Sequence, residues 1–160
     1  MKGLGKWVAV CLVLGLSGCA VVTGYNREWN ETLECCPSDE LAGCWEGEWV
    51  SCSTGHRGEL RAIITKGCGN TYNAWFHALF LKVVPFQYSI PLQACEKDGQ
   101  VCFRGSAKLS QLVGGTYRTT GCANGCNFHA KYCADSDNGY FSLTRRVGGC
   151  SPKCSTCCDK

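Results

Sequence analysis

The chain holds no run of about 20 apolar residues, the length a helix needs to cross a bilayer. Its clearest apolar stretch, Trp7 to Leu14, is far too short, which excludes a permanent spanning helix there. No basic block or stripe is present either. The formal charge is +3, of which Lys2 and Lys6 supply two, leaving +1 for the rest, so an electrostatic case for nucleic acid is missing. No segment sustains a helical period of convincing length. The sequence contains no G-x-S-x-G elbow and no H-E-x-x-H pair to suggest a hydrolase or zinc protease. No catalytic residue, cofactor or metal is expected, and the chain is not read as an enzyme.

The first residues fall into three zones: a positive start at Lys2 and Lys6, the apolar run, then Leu16-Ser17-Gly18-Cys19. That order is the layout of a signal peptide. The last four residues resemble the lipobox of bacterial lipoproteins. The resemblance implies cleavage after residue 18, diacylglyceryl on the Cys19 sulfur, and attachment to a membrane through that lipid. It also implies a bacterial cell envelope location, and Ala20 after the cysteine, where an Asp would signal inner-membrane retention, leans toward the outer membrane. Several acyl chains on one residue anchor stably, since each buried CH₂ contributes roughly 0.8 kcal/mol. The expected organisation is a signal peptide over 1–18, a lipidated tether over 19–42, a β-domain over 43–146 and a cysteine-rich tail over 147–160.

Sixteen cysteines in 160 residues point to an exported, oxidising setting. Cys11 leaves with the signal and Cys19 carries lipid, so 16 − 2 leaves 14: Cys35, Cys36, Cys44, Cys52, Cys68, Cys95, Cys102, Cys122, Cys126, Cys133, Cys150, Cys154, Cys157 and Cys158. All are disulfide candidates, and order alone does not give their connectivity. A domain of about 100 residues can bury a useful core unaided, which makes the disulfides reinforcement.

From Ala20 to Ala42 polar and turn-forming residues dominate, among them Asn26, Asn30, Pro37 and Asp39, consistent with a tether. From Gly43 onward the pattern alternates. Trp45, Gly47 and Trp49 share one face, followed by Leu60, Ala62 and Ile64, then Tyr72, Ala74, Phe76 and Ala78, then Phe86, Tyr88, Ile90 and Leu92. Phe103 and Gly105, Tyr117 and Thr119, Phe128, Ala130 and Tyr132, and Phe141, Leu143 and Arg145 continue it. A two-residue period marks half-buried strands. Turn residues separate the runs, including Lys97-Asp98-Gly99 and Asn124-Gly125. Eight consecutive strands with short connections predict an all-β, eight-stranded antiparallel up-and-down barrel, which removes exposed edges. A two-sheet β-sandwich is the alternative.

Gly43-Cys44-Trp45 on the first strand and Arg145 on the last resemble the G-x-W and closing arginine of lipocalins and related calycin barrels. The resemblance implies an arginine packed across the tryptophan to shut one end. It also implies a candidate cavity for a small hydrophobic ligand, lined by Trp45, Trp49, Phe76, Tyr88, Phe103 and Tyr132.

In such a meander, successive turns alternate between two ends. Twelve of the cysteines then gather at the end where the first strand begins, the base, and Cys52 and Cys133 lie toward the far end. The tail C-x3-C-x2-C-C and the set Cys122, Cys126 and His129 could ligate metal, but disulfide bonding is the favoured reading. His56, His77 and His129 read as surface histidines, and Glu46 and Glu48 as solvent-facing. The leading functional expectation is a non-enzymatic envelope lipoprotein with a structural or interaction role, its partner an envelope protein. The alternative is a lipocalin-like binder. In either case the working surface is expected among the far-end turns, at His56, Arg57, Lys82, Gln111, Asp135 and Asp137.

Overall fold

The computed structural model describes residues 23–34, 37, 39–80, 84–109 and 115–148. Eight strands make up the fold: β1 (Gly43–Ser51), β2 (Arg57–Lys66), β3 (Thr71–Phe80), β4 (Val84–Lys97), β5 (Gln100–Lys108), β6 (Thr116–Asn124), β7 (Asn127–Cys133) and β8 (Asn138–Arg146). Each is antiparallel to its neighbour, and β1 pairs β8 from Cys44↔Arg146 to Ser51↔Gly139. The sheet is therefore a closed barrel, as expected, and the sandwich alternative falls. Closure pairs both would-be edges.

Alternation explains the strands. Leu60, Ala62 and Ile64, Ala74 and Phe76, Ile90 and Leu92, and Phe128 and Ala130 form one continuous inner core. The β4–β5 connection is a two-residue turn in which Asp98 (φ 52°) and Gly99 (φ 74°) both take positive φ, the conformation that matches the strands' twist. Gly47 is required by close approach: a Cβ there would lie 2.1 Å from the Ser142 carbonyl oxygen. Its absence lets β8 press against β1 where they close the barrel.

The expectation of no helical period between Ala20 and Ala42 is corrected over residues 23–34, which form a helix, α1. Tyr25, Trp29 and Leu33, four residues apart, lie on one face of α1 and pack with Cys44, Ile63 and Trp75 on the outside of β1 to β3. Tyr25 stacks edge-on against Trp75 at 5.0 Å, and the Arg61 guanidinium lies 5.1 Å over the Trp29 ring. Burying side chains of this size stabilises by roughly 1.5–3 kcal/mol each, enough to order a helix too short to persist alone. The helix starts beside the middle of β3, where Tyr25 meets His77 at 5.0 Å. It ends near the base, where a Cβ on Gly148 would meet the Leu33 carbonyl oxygen at 2.4 Å.

Strand order places Cys68, Cys95, Cys102, Cys122 and Cys126 toward the base, and Cys52 and Cys133 at the far end. Cys102 and Cys122 are disulfide-bonded. Cys44 belongs to the base end but not to a base cluster. It faces outward beneath α1, unbridged, with its thiol donating to the Trp29 carbonyl at 3.6 Å. Burial, with Glu28 adding, pushes that thiol up to about 12. Cys52 and Cys133 stand on opposite sides of Asn138, which accepts from the Cys52 amide at 2.7 Å and pairs with Cys133 in the ladder. Both are exposed and unbridged. Cys19, Cys35, Cys36, Cys150, Cys154, Cys157 and Cys158 lie outside the described residues, as do Lys82 and Gln111.

Candidate functional site

All six residues expected to line a cavity belong to the inner core or pack against it. Trp45, Phe76, Tyr88, Phe103 and Tyr132 make contacts with other aromatic rings inside the barrel. Phe76 on β3 reaches Phe141 on β8 at 5.6 Å, and Tyr88 on β4 reaches Tyr117 on β6 at 5.3 Å. Trp45 on β1 and Phe103 on β5 both pack on Phe128 of β7, at 5.5 and 4.7 Å. Tyr132 stacks between Tyr117 and Phe141 at 5.7 and 5.1 Å. Rings this close are in van der Waals contact, so at these levels the space that a ligand would need is taken by side chains.

The base is closed by Arg145 and Trp45, ladder partners on β8 and β1. The guanidinium carbon sits 4.2 Å from the Trp45 ring centroid, a cation–π contact. Arg145 is almost fully buried. Its Nε donates to the Gly125 carbonyl at 2.8 Å, and its terminal nitrogens donate to the carbonyls of Ala42, Glu40 and Asp39. Trp45 Nε1 donates to the Leu41 carbonyl at 3.0 Å. A buried cation needs such partners to offset lost hydration.

The segment that Arg145 grips is shaped by Asp39. Its carboxylate accepts from the Leu41 and Ala42 amides at 3.0 and 2.8 Å, from Tyr72 at 2.8 Å and from Lys66 at 2.9 Å. Burial would raise its pKa, but the Ala42 amide, Lys66, Tyr72 and the Leu41 amide outweigh that and hold the carboxyl at about 2.

At the far rim the lumen ends in hydroxyls. Asp137 accepts from Ser51 Oγ at 2.6 Å and from the Tyr132 hydroxyl at 2.9 Å. The Tyr88 and Tyr117 hydroxyls lie 3.2 Å apart. Burial raises the pKa of all three tyrosines, with Asp137 adding to the shift of Tyr132, so they remain protonated donors. Asp135, also expected at a working surface, accepts from the Thr116 amide at 2.9 Å. Both acids thus have structural partners within the rim. His56, at the end of the β1–β2 turn, and Arg57, the first residue of β2, remain exposed.

The other polar candidates sit outside the barrel. His77 is half-buried beside Tyr25, not a free surface histidine; burial, then Arg61, lower its pKa. Glu46 pairs with Arg61 and Arg146 at 3.6 and 2.7 Å. Glu48 and His129 are exposed, and His129 is the ladder partner of Cys122. Cys126 is buried at the β6–β7 turn. No group of three His, Cys, Asp or Glu side chains is placed to hold a metal among the described residues. Shallow grooves of about 530 and 560 Å³ run along the outer wall of β5 to β8.

Two features escaped the sequence reading. The helix had a signal in the four-residue spacing of Tyr25, Trp29 and Leu33. Asp39 had one in its place three residues before Ala42, where a carboxylate reaches back to free amides. Comparisons with protein-family models, curated proteins and solved structures find no match.

Proposed function

We propose that this chain is a lipid-anchored envelope protein whose barrel serves a non-enzymatic structural or interaction role. The observation that carries the reading is the lumen crossed by ring contacts from Phe76 to Phe141 and from Tyr88 to Tyr117. It supports a barrel that works as a solid body over the lipocalin-like alternative, because a binder of small hydrophobic molecules needs empty apolar volume. The base closure by Trp45 and Arg145 fits the calycin resemblance and adds to the ring contacts above it. The anchor rests on Leu16-Ser17-Gly18-Cys19, and a wall-bound α1 keeps the barrel close to that anchor. Interaction then uses exposed outer surfaces with His56 and Arg57, since Asp135 and Asp137 serve the rim itself.

Two measurements test this together. Bacteria expressing the full chain are fed an alkyne fatty acid, and the labelled protein is compared with C19S. Label and membrane retention lost in C19S are expected; an equally membrane-bound, labelled C19S protein overturns the anchor. Titration of the purified barrel with a fluorescent fatty acid should show no saturable stoichiometric binding. Saturable uptake that quenches tryptophan fluorescence would restore the ligand-binding reading.

A further inference from the structure

Cys95 on β4 is the ladder partner of Cys102 on β5, and Cys102 is the ladder partner of Cys122 on β6. The next residue in this row is His129 on β7. Direct partners in an antiparallel sheet point to the same face, here the outer wall, with Cα atoms about 4.5 or 5.5 Å apart. The Cys102 and Cys122 Cα atoms lie 3.9 Å apart, and the ordinary partner spacing on the Cys95 side falls within the range that a disulfide bridges. Cys102 therefore has a bridging-distance cysteine on each side and can bond only one at a time. It is bonded to Cys122, while Cys95 is exposed and unbonded. On its other side Cys122 borders a groove of about 530 Å³ that is also lined by Lys97, His129 and Lys131.

We propose that Cys95, Cys102 and Cys122 form a thiol–disulfide exchange site that takes a small, carboxylate-bearing disulfide. The thiolate of Cys95 attacks Cys102 Sγ. The Cys95–Cys102 bond forms as the Cys102–Cys122 bond breaks, and the electron pair leaves on Cys122 Sγ. The proton lost by Cys95 returns to Cys122 through water, with His129 beside it as an acceptor, so this step has no net oxidation. Half-buried Cys122, deprotonated again to the thiolate, then attacks a disulfide R–S–S–R. That forms the mixed disulfide Cys122–S–S–R and releases R–S⁻. The lysines at the groove favour an anionic R group through charge complementarity.

The purified full chain is incubated at pH 8 with oxidised glutathione, quenched in acid, alkylated and mapped by mass spectrometry without reduction. Glutathione on Cys122 together with a Cys95–Cys102 bridge is expected. C95S should lower glutathione on Cys122 at least ten-fold while keeping the Cys102–Cys122 bond, and cationic cystamine should add several-fold less than glutathione. C122S gives an independent reading, with a Cys95–Cys102 bridge expected. The proposal is overturned by equal modification of Cys122 in C95S, by a C122S protein glutathionylated on Cys102 in place of the bridge, or by equal addition of cystamine. A Cys95 already bridged to Cys68 in the untreated protein overturns it as well.

Discussion

The two ends of the barrel are shut by different chemistry. At the base a single buried cation, Arg145, gathers carbonyls from Asp39, Glu40, Ala42 and Gly125 and lies on Trp45. At the far rim a single carboxylate, Asp137, collects hydroxyls from Ser51 and Tyr132. Three of the base bonds join residues more than 100 apart, and at the rim Asp137 holds Ser51, 86 residues away, and Tyr132, five away. Both ends tie the start of the barrel to its end, but the base does so through one charged donor serving four carbonyls and the rim through one carboxylate serving two hydroxyls. Loss of the cation leaves four carbonyls without a shared charged donor, and loss of the rim carboxylate leaves only the two hydroxyls of buried Ser51 and Tyr132 without their acceptor.

That contrast predicts its largest effect at Arg145. R145A should lose about 3–5 kcal/mol of stability, because a buried charged donor and its acceptors are separated. Denaturant unfolding measures it, and a loss under 1 kcal/mol would place the closure elsewhere. W29A should cost about 2–4 kcal/mol through lost packing, with hydrogen-exchange protection falling in α1 while β5 to β8 keep theirs. Uniform loss across all eight strands would mean that the helix is part of barrel folding. D137N should cost about 1–2 kcal/mol, less than R145A; the reverse order would break the comparison outright.

Acid should separate the regions further. The Asp39 carboxyl is held at about 2 against an ordinary 3.8. Its contribution is present above pH 3.8 and is lost as pH falls toward 2, and D39N should remove that slope. His77 has a lowered pKa, so the unfolded chain binds the proton first as pH falls below 6.5. Stability should then decline from about pH 6.5 downward until the folded state also protonates. H77N should flatten that mild region without touching the one near pH 3. Melting temperatures across pH 2–8 for both variants check the two windows.

The strands were legible because closing a small barrel leaves the lumen face apolar in every strand, so Phe76, Ile90 and Phe128 keep a strict two-residue beat. Arg145 was legible through its pairing with Trp45. Residues 23–34 were not, because Asn26, Asn30 and Gly24 dilute a helical stripe only three residues long. Its stability comes from the wall formed by Ile63 and Trp75, which lies far along the chain. The rim network was hidden for a similar reason. Asp137 looks like any turn acid until strand register brings Ser51 beside it.

α1 also changes how far the barrel can travel. A loose segment over 19–42 would give a leash of 24 residues, with a fully extended span of roughly 80 Å at about 3.5 Å per residue. With residues 23–34 packed on the wall, covalent geometry puts Cys19 within about 14 Å of Thr23, four residues on. A lipid on Cys19 would confine the barrel to a thin layer over the membrane surface. Encounters would then be limited to molecules that share that layer or enter it.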